Sequence, residues 1–270
     1  MLQNKDNKGV KYLNIVVFVK QVPDTNDVKW TENNNIDRTN MESVINPADR
    51  QALEAALILK DRYEANITAV TMGPKKAVEV LKEAVAMGVD DAFLLCDSKF
   101  AGSDTCATSK VLAAAVKEKL PQTDLILFGQ TAIDGETGQT GVSTATRLGL
   151  TAISNVVEIV EISENSITIN TETEKEKITL KTKLPCSLCV NNYVFKPRVP
   201  RINGYMRAQD YNYKSYDIND LSLDANETGI KGSPTYVSKV FKNQEGRDCK
   251  IINFEEDGSL QSIMKEILEQ

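Results

Sequence analysis

The sequence contains no histidine. That removes Ser-His-Asp triads, mixed Cys/His zinc sites and most acid–base schemes built on an imidazole. Any redox or group-transfer chemistry is therefore expected to belong to a cofactor. No apolar run approaches the roughly 20 residues that a membrane helix needs. The net charge is −6 and no basic cluster interrupts it, so neither a membrane span nor a nucleic-acid partner is expected. The first residues, Met1 to Lys11, lack an apolar signal-peptide core and lack arginine. Residues 1–12 are read as a disordered extension, and the location as cytoplasmic. Five cysteines in 270 residues do not form a disulfide framework. Cys186 and Cys189 have CxxC spacing without a second pair nearby. Their flanks, Leu184-Pro185 and Leu188…Val190, predict an apolar strand with buried thiols.

What remains is the composition of a soluble globular protein, 41% hydrophobic and 26% charged, with ample material for a core. The most informative stretch runs from Gly129 to Gly141. It follows an apolar run, Asp124 to Phe128, and precedes a helix-compatible segment, Val142 to Leu148. A buried strand, a glycine-rich turn and a helix start together make a phosphate site, because unpaired backbone N–H groups at the helix end face the anion. Gly135, Gly138 and Gly141 admit unusual backbone conformations or close ligand approach, and Thr137, Gln139 and Thr140 add neutral hydrogen-bonding groups. The stretch is neither a Walker loop nor a Gly-x-Gly-x-x-Gly fingerprint. A plain strand-to-helix connection is the alternative reading.

Elsewhere strands and helices alternate. Asn14–Val19 suits a strand covered on both faces. Asn46 as cap, Pro47 and Asp49 open a helix to about Glu64, with Leu53, Ala56, Leu57 and Tyr63 among its buried residues. Ile67–Met72, Ala92–Cys96 and Leu125–Phe128 are further strands. Lys75–Met87, stopped by Gly88, and a helix capped by Ser103-Asp104 and running to Lys119 lie between them. This alternation gives an α/β fold on a parallel sheet, whose ligands sit at the carboxyl ends of the strands. Val156–Ile162, Ser166–Asn170 and Lys177–Thr182 alternate apolar and polar residues and predict added antiparallel strands. Val28–Thr39 is expected as a hairpin or surface loop. From Tyr193 the pattern weakens until a final helix, Ser259–Leu268, with Leu260, Ile263, Met264 and Ile267 at helical spacing. Such a tail is expected to lie on a partner subunit.

Several motifs, in order and at matching intervals, resemble the β subunits of electron transfer flavoproteins. They are Val19–Thr25, Asn46-Pro47, Gly73-Pro74, Ala86–Asp90, Gly129–Gly141, Leu184-Pro185, Pro197-Arg198 and Met206–Ala208. The resemblance implies a Rossmann-like sheet of the adenine-nucleotide α-hydrolase type over residues 13–192. It implies a recognition loop and an extended C-terminal arm over 193–270, packed on an FAD-binding α subunit as an obligate heterodimer. The nucleotide pocket it implies comprises Phe18, Lys20, Asn46, Pro47, Ala48, Asp49, Met72, Gly129, Gln130, Thr131, Ala132, Asp134, Gly135, Glu136, Thr137, Gly138, Gln139 and Thr140. The recognition loop implied for partner dehydrogenases carries Pro200, Ile202 and Met206, with Ile202 as the anchor.

Members of the family hold either AMP or FAD in the β subunit. Asp134–Gly141 resembles the loop of electron-bifurcating, FAD-binding members, with Gly135 where shuttling members carry an acidic residue and Gly138 where they carry asparagine. The resemblance thus implies FAD in this subunit, a second FAD in the α subunit, NAD(H) as substrate, and ferredoxin and a flavin dehydrogenase as partners. AMP as a structural nucleotide is the alternative within the family. A universal-stress-type adenine-nucleotide protein is the alternative of another class.

Overall fold

The computed structural model describes residues 12–24, 43–236, 238, 261, 264, 265 and 268. The strands are β1 (Leu13–Phe18), β2 (Gln21–Pro23), β3 (Ser43–Ile45), β4 (Ala65–Met72), β5 (Asp91–Leu95), β6 (Leu125–Gly129), β7 (Thr151–Ser163), β8 (Ser166–Glu172), β9 (Lys177–Lys183), β10 (Cys186–Val190) and β11 (Lys214–Tyr216). The helices are α1 (Pro47–Arg62), α2 (Val78–Met87), α3 (Thr105–Lys119), α4 (Thr140–Leu148), α5 (Ile202–Asp210) and the short α6 (Gly229–Gly232). Among the described residues nine strands form one sheet, in the order β11-β5-β4-β1-β6-β10-β7-β8-β9. It is parallel from β11 to β7, and β8 and β9 extend it antiparallel. The expected architecture, a parallel sheet with added antiparallel strands, is the one observed.

β1 explains why the sheet is covered on both sides. Ile15 and Val17 face one apolar layer, with α1 and α2, while Val16 and Phe18 face the other, with α3. Such a strand reads as a continuous apolar run because neither face meets water. α1 carries Pro47 in its first turn, Asp49 at its positive end and Lys60 and Arg62 at its negative end. Asn46 does not cap it, contrary to expectation, because its side chain is engaged elsewhere. The helix expected from Lys75 begins as a 3-10 turn, Lys75–Ala77, before α2, and Gly88 ends α2 with a φ of 127°. Cys186 and Cys189 lie in a buried strand on opposite faces of the sheet, one in each apolar layer. Burial pushes their thiols up to about 12 and about 11.

The chain beyond residue 192 is more structured than its weak pattern suggests. The expected recognition loop that carries Pro200, Ile202 and Met206 is helical from Ile202, where α5 starts, and β11 adds an edge strand beside β5. Ile218 and Leu221 are buried in the α3-side layer. A second compact unit spans Lys239–Gln270; within it Gln261, Met264, Lys265 and Leu268 are helical and exposed. The extension over 1–11, Thr25, the 28–39 segment and the rest of the final helix lie outside the described residues. Among the described residues, no helix is long and apolar enough to cross a membrane.

Candidate functional site

The carboxyl ends of β1, β4 and β6 open into a cleft of about 500 Å³, walled by the first turns of α3 and α4 and by the 130–139 loop. Its floor is apolar. Phe18 stacks on Phe128 with ring centroids 4.8 Å apart, and Val70, Met72 and Leu112 surround the pair. Each ring is only 5% exposed because the pair stacks on itself, so the floor meets the cleft as a narrow apolar surface beside flexible, half-buried Met72.

Asp49 ties the rear of the cleft together. Its carboxylate accepts hydrogen bonds from Lys20 N at 2.7 Å and Gly129 N at 3.0 Å, joining α1 to the ends of β1 and β6. Burial pushes this carboxyl up to about 7 although bonds from Lys20, Asn46 and Gly129 favour its charged form. Gly129 is required for this contact: a Cβ there would lie 2.5 Å from Ala48 C and from Asp49 Oδ1. Asn46 clamps the neighbouring loop, donating from Nδ2 to Thr131 O at 2.8 Å and accepting Ile133 N at Oδ1, 3.2 Å. Lys20 Nζ reaches the same loop through Asp134 Oδ1 at 2.6 Å.

Two helix starts meet the cleft, and they differ in charge. α4 begins at Thr140 after Gln139, and no side chain caps it. Its first-turn N–H groups have no intrahelical acceptor and present a positive end. Gly138 takes φ 62° just before it, with Gln130 and Thr131 close against its free face. Gly141 lets α4 sit directly on the sheet: a Cβ there would fall 2.6 Å from Cys189 Sγ and 3.1 Å from the Phe128 ring. α3, by contrast, is capped by Asp104, whose side chain accepts Ala107 N at 3.0 Å. An anion is favoured at α4 and disfavoured at α3.

The expected pocket residues divide accordingly. Phe18, Lys20, Asp49, Met72, Gly129, Gln130, Thr131, Ala132, Gly135, Glu136, Thr137, Gly138, Gln139 and Thr140 line the cleft. Asn46, Pro47, Ala48 and Asp134, also expected there, do not line it: Asn46 and Asp134 hold its loop from behind, Ala48 packs against Gly129, and Pro47 opens α1. Gly135 needs neither positive φ nor close approach, since a Cβ there meets nothing within 4 Å; Glu136 takes the positive φ of 42° instead. The sequence reading missed the opposite wall, Ser103 to Thr105 and Thr108, together with Thr235. Ser103-Asp104 signalled only a helix cap, and Thr235 lies where the sequence has no periodic pattern.

A second feature lies on α5 and the segment before it. Ile202 is 78% exposed and Val199 81%; Tyr205 and Met206 are also exposed, and Pro200 is half-buried. The segment is held down by α1: Gln51 Oε1 accepts Phe195 N at 2.7 Å, and Arg198 binds Glu54 and Asp61.

The sequence model of the electron transfer flavoprotein domain matches residues 34–221. The electron transfer flavoprotein subunit beta of Megasphaera elsdenii is 37% identical, covering 96% of this chain and 97% of its own. The caffeyl-CoA reductase-Etf complex subunit CarD of Acetobacterium woodii is 38% identical over 85% of this chain and 87% of its own. Protein FixA of Azorhizobium caulinodans is 34% identical over 96% and 95%.

Proposed function

The chain belongs to the electron transfer flavoprotein family as a β-type subunit, and from that premise we propose that its cleft holds FAD and serves flavin-based electron bifurcation. The pairing of an apolar floor with an uncapped helix start in one cleft supports a nucleotide, and the observation that favours FAD over AMP is the open space at Gly135 in the phosphate loop. The donor set fits a dinucleotide. Met72 and the apolar floor that buried Phe18 and Phe128 support pack against a ring, and the α4 amides with Gln139 and Thr140 take phosphate oxygens. The open space around Gly135 leaves room for a second phosphate without an added negative charge.

Bound flavin supplies hydride acceptance and one-electron transfer. The chain's own residues bind and orient it. Asp49, Asn46 and Gly129 fix the loop geometry before the ligand arrives, which limits the ordering that binding must otherwise impose. Lys20 places the one cation among the described lining residues at the β1 end of the cleft. In this reading the subunit forms a heterodimer with an FAD-binding α subunit. It exchanges a hydride with NAD(H) and divides electrons between ferredoxin and a flavin dehydrogenase. The A. woodii relative is named as part of a reductase–Etf complex, which supports a reductase partner.

Structural AMP is the second reading, because the same helix start and apolar floor suit an adenine mononucleotide. The test is NADH-dependent reduction of ferredoxin by the purified complex with its dehydrogenase and that enzyme's electron acceptor. Coupled reduction of both acceptors supports bifurcation; electron flow to the dehydrogenase side alone contradicts it.

A further inference from the structure

We propose that residues 228–235 form a strap that belongs to the nucleotide site, with Thr235 touching the sugar hydroxyls of the bound ligand and Asp104 holding Thr235 in position. The proposal rests on the reading of the cleft as a nucleotide site.

The strap is bound to the first turn of α3 and to the turn before it. Thr228 Oγ1 donates to Lys99 O at 3.2 Å, and Gly229 N donates to Ser103 Oγ at 3.0 Å. Asp104 N donates to Ser233 Oγ at 2.8 Å, and Asp104 Oδ2 accepts both Thr235 N at 3.0 Å and Thr235 Oγ1 at 2.7 Å. The backbone is shaped for this docking. Gly229 takes φ 58°, and a Cβ there would lie 2.3 Å from Lys99 O. Ile230 in turn fills the free face of Gly102, where a Cβ would lie 2.4 Å from its Cγ1. A stretch with this many specific bonds is an ordered wall.

Thr235 is the strap residue that lines the cleft, beside Ser103, Asp104, Thr105 and Thr108. Ser103, Thr105, Thr108 and Thr235 line this wall with the Asp104 carboxylate. Thr235 spends its proton on Asp104 and keeps lone pairs to accept from a ligand hydroxyl, while the carboxylate that caps the helix repels phosphate. The α4 start supplies the opposite preference. The cleft is therefore polarised, and a nucleotide enters with its phosphate toward α4 and its sugar toward the strap. A ligand touching Thr235 adds a contact that only the docked strap can make, so occupancy and docking reinforce one another.

The experiment uses the full chain purified with its α-type partner and freed of nucleotide at the β site. AMP, FAD and inorganic pyrophosphate are the probes. Thr235→Val removes the hydroxyl at the cleft, and Thr228→Val loosens the strap at a position outside the cleft. Loss of one hydrogen bond predicts about tenfold weaker nucleotide binding by Thr235→Val, with pyrophosphate binding unchanged. Thr228→Val is expected to weaken nucleotide binding in the same direction. In the wild type, nucleotide slows amide hydrogen exchange across 229–235. Weakening for both AMP and FAD places ribose on the strap, and weakening for FAD alone places the ribityl chain there. Wild-type binding by Thr235→Val, or exchange across 229–235 that ignores nucleotide, overturns the proposal. Unchanged pyrophosphate binding by Gln139→Ala with Thr140→Ala would instead remove the phosphate assignment and leave the strap result standing. A wild-type protein that binds none of the probes overturns both.

Discussion

Arg198 grips Glu54 with two of its nitrogens: Nε lies 3.0 Å from Oε2 and Nη2 lies 2.9 Å from Oε1. Glu54 is buried on α1, and the pair carries the exposed segment that leads to Ile202. Nη2 also reaches Asp61 at 2.8 Å. These bonds outweigh the burial that opposes the charge and raise the guanidinium's pKa. The apolar surface of α5 is thereby presented from a fixed base.

Arg198→Ala leaves Glu54 buried without its cation. Breaking a buried pair costs about 3–5 kcal/mol, and the partly solvated guanidinium places this case near the lower end. Urea unfolding of the complex is the measurement. A double variant, Arg198→Met with Glu54→Leu, is expected to recover much of that stability, because it leaves no unpaired charge behind.

Ile202→Asp is expected to slow electron exchange with the partner dehydrogenase while flavin content stays constant. An exposed apolar side chain that becomes desolvated in a partner's pocket carries a large share of a small interface. Turnover with the dehydrogenase, measured beside the flavin spectrum, separates this from a folding defect. Unchanged turnover removes Ile202 from the contact.

Asp49 gives stability a pH dependence of unusual sign. Its carboxyl rises from 3.8 to about 7 on folding, so between those values the folded chain holds a proton that the unfolded chain has lost. This contribution is fully present below pH 3.8 and is lost as pH rises through about 7. The slope is at most about 1.4 kcal/mol per pH unit. Asp49→Asn is expected to flatten stability over that window, measured by denaturant unfolding at several pH values.

Gly141→Ala drives a methyl group against Cys189 and Phe128. Overpacking of this kind costs about 1–3 kcal/mol. Adding Cys189→Ala makes room and is expected to restore part of the loss in thermal unfolding.

Much of the fold was legible in the sequence because its strands are covered in two distinct ways. β1 is buried on both faces and reads as an unbroken apolar run, whereas β8 alternates Ile167, Ile169 and Thr171 inward with polar residues outward. The Gly129–Thr140 wall of the cleft was legible because its glycines and neutral polar groups fall between a buried strand and a helix start, at the carboxyl end of the sheet. The α3 wall was not, because Asp104 serves as an ordinary cap and the hydroxyls of Thr105 and Thr108 look like any helix surface. Asn46 was assigned a cap it does not make: its burial and its bonds to Thr131 and Ile133 depend on a loop more than 80 positions away. β11 escaped notice because three residues, Lys214–Tyr216, are too few to show a period.

The proposed bifurcating role requires FAD rather than AMP in the cleft at Phe18, Phe128 and the start of α4. Denaturing the purified heterodimer and quantifying the released nucleotides by chromatography tests it directly. The account predicts two FAD per heterodimer and no AMP. One FAD with one AMP would contradict it.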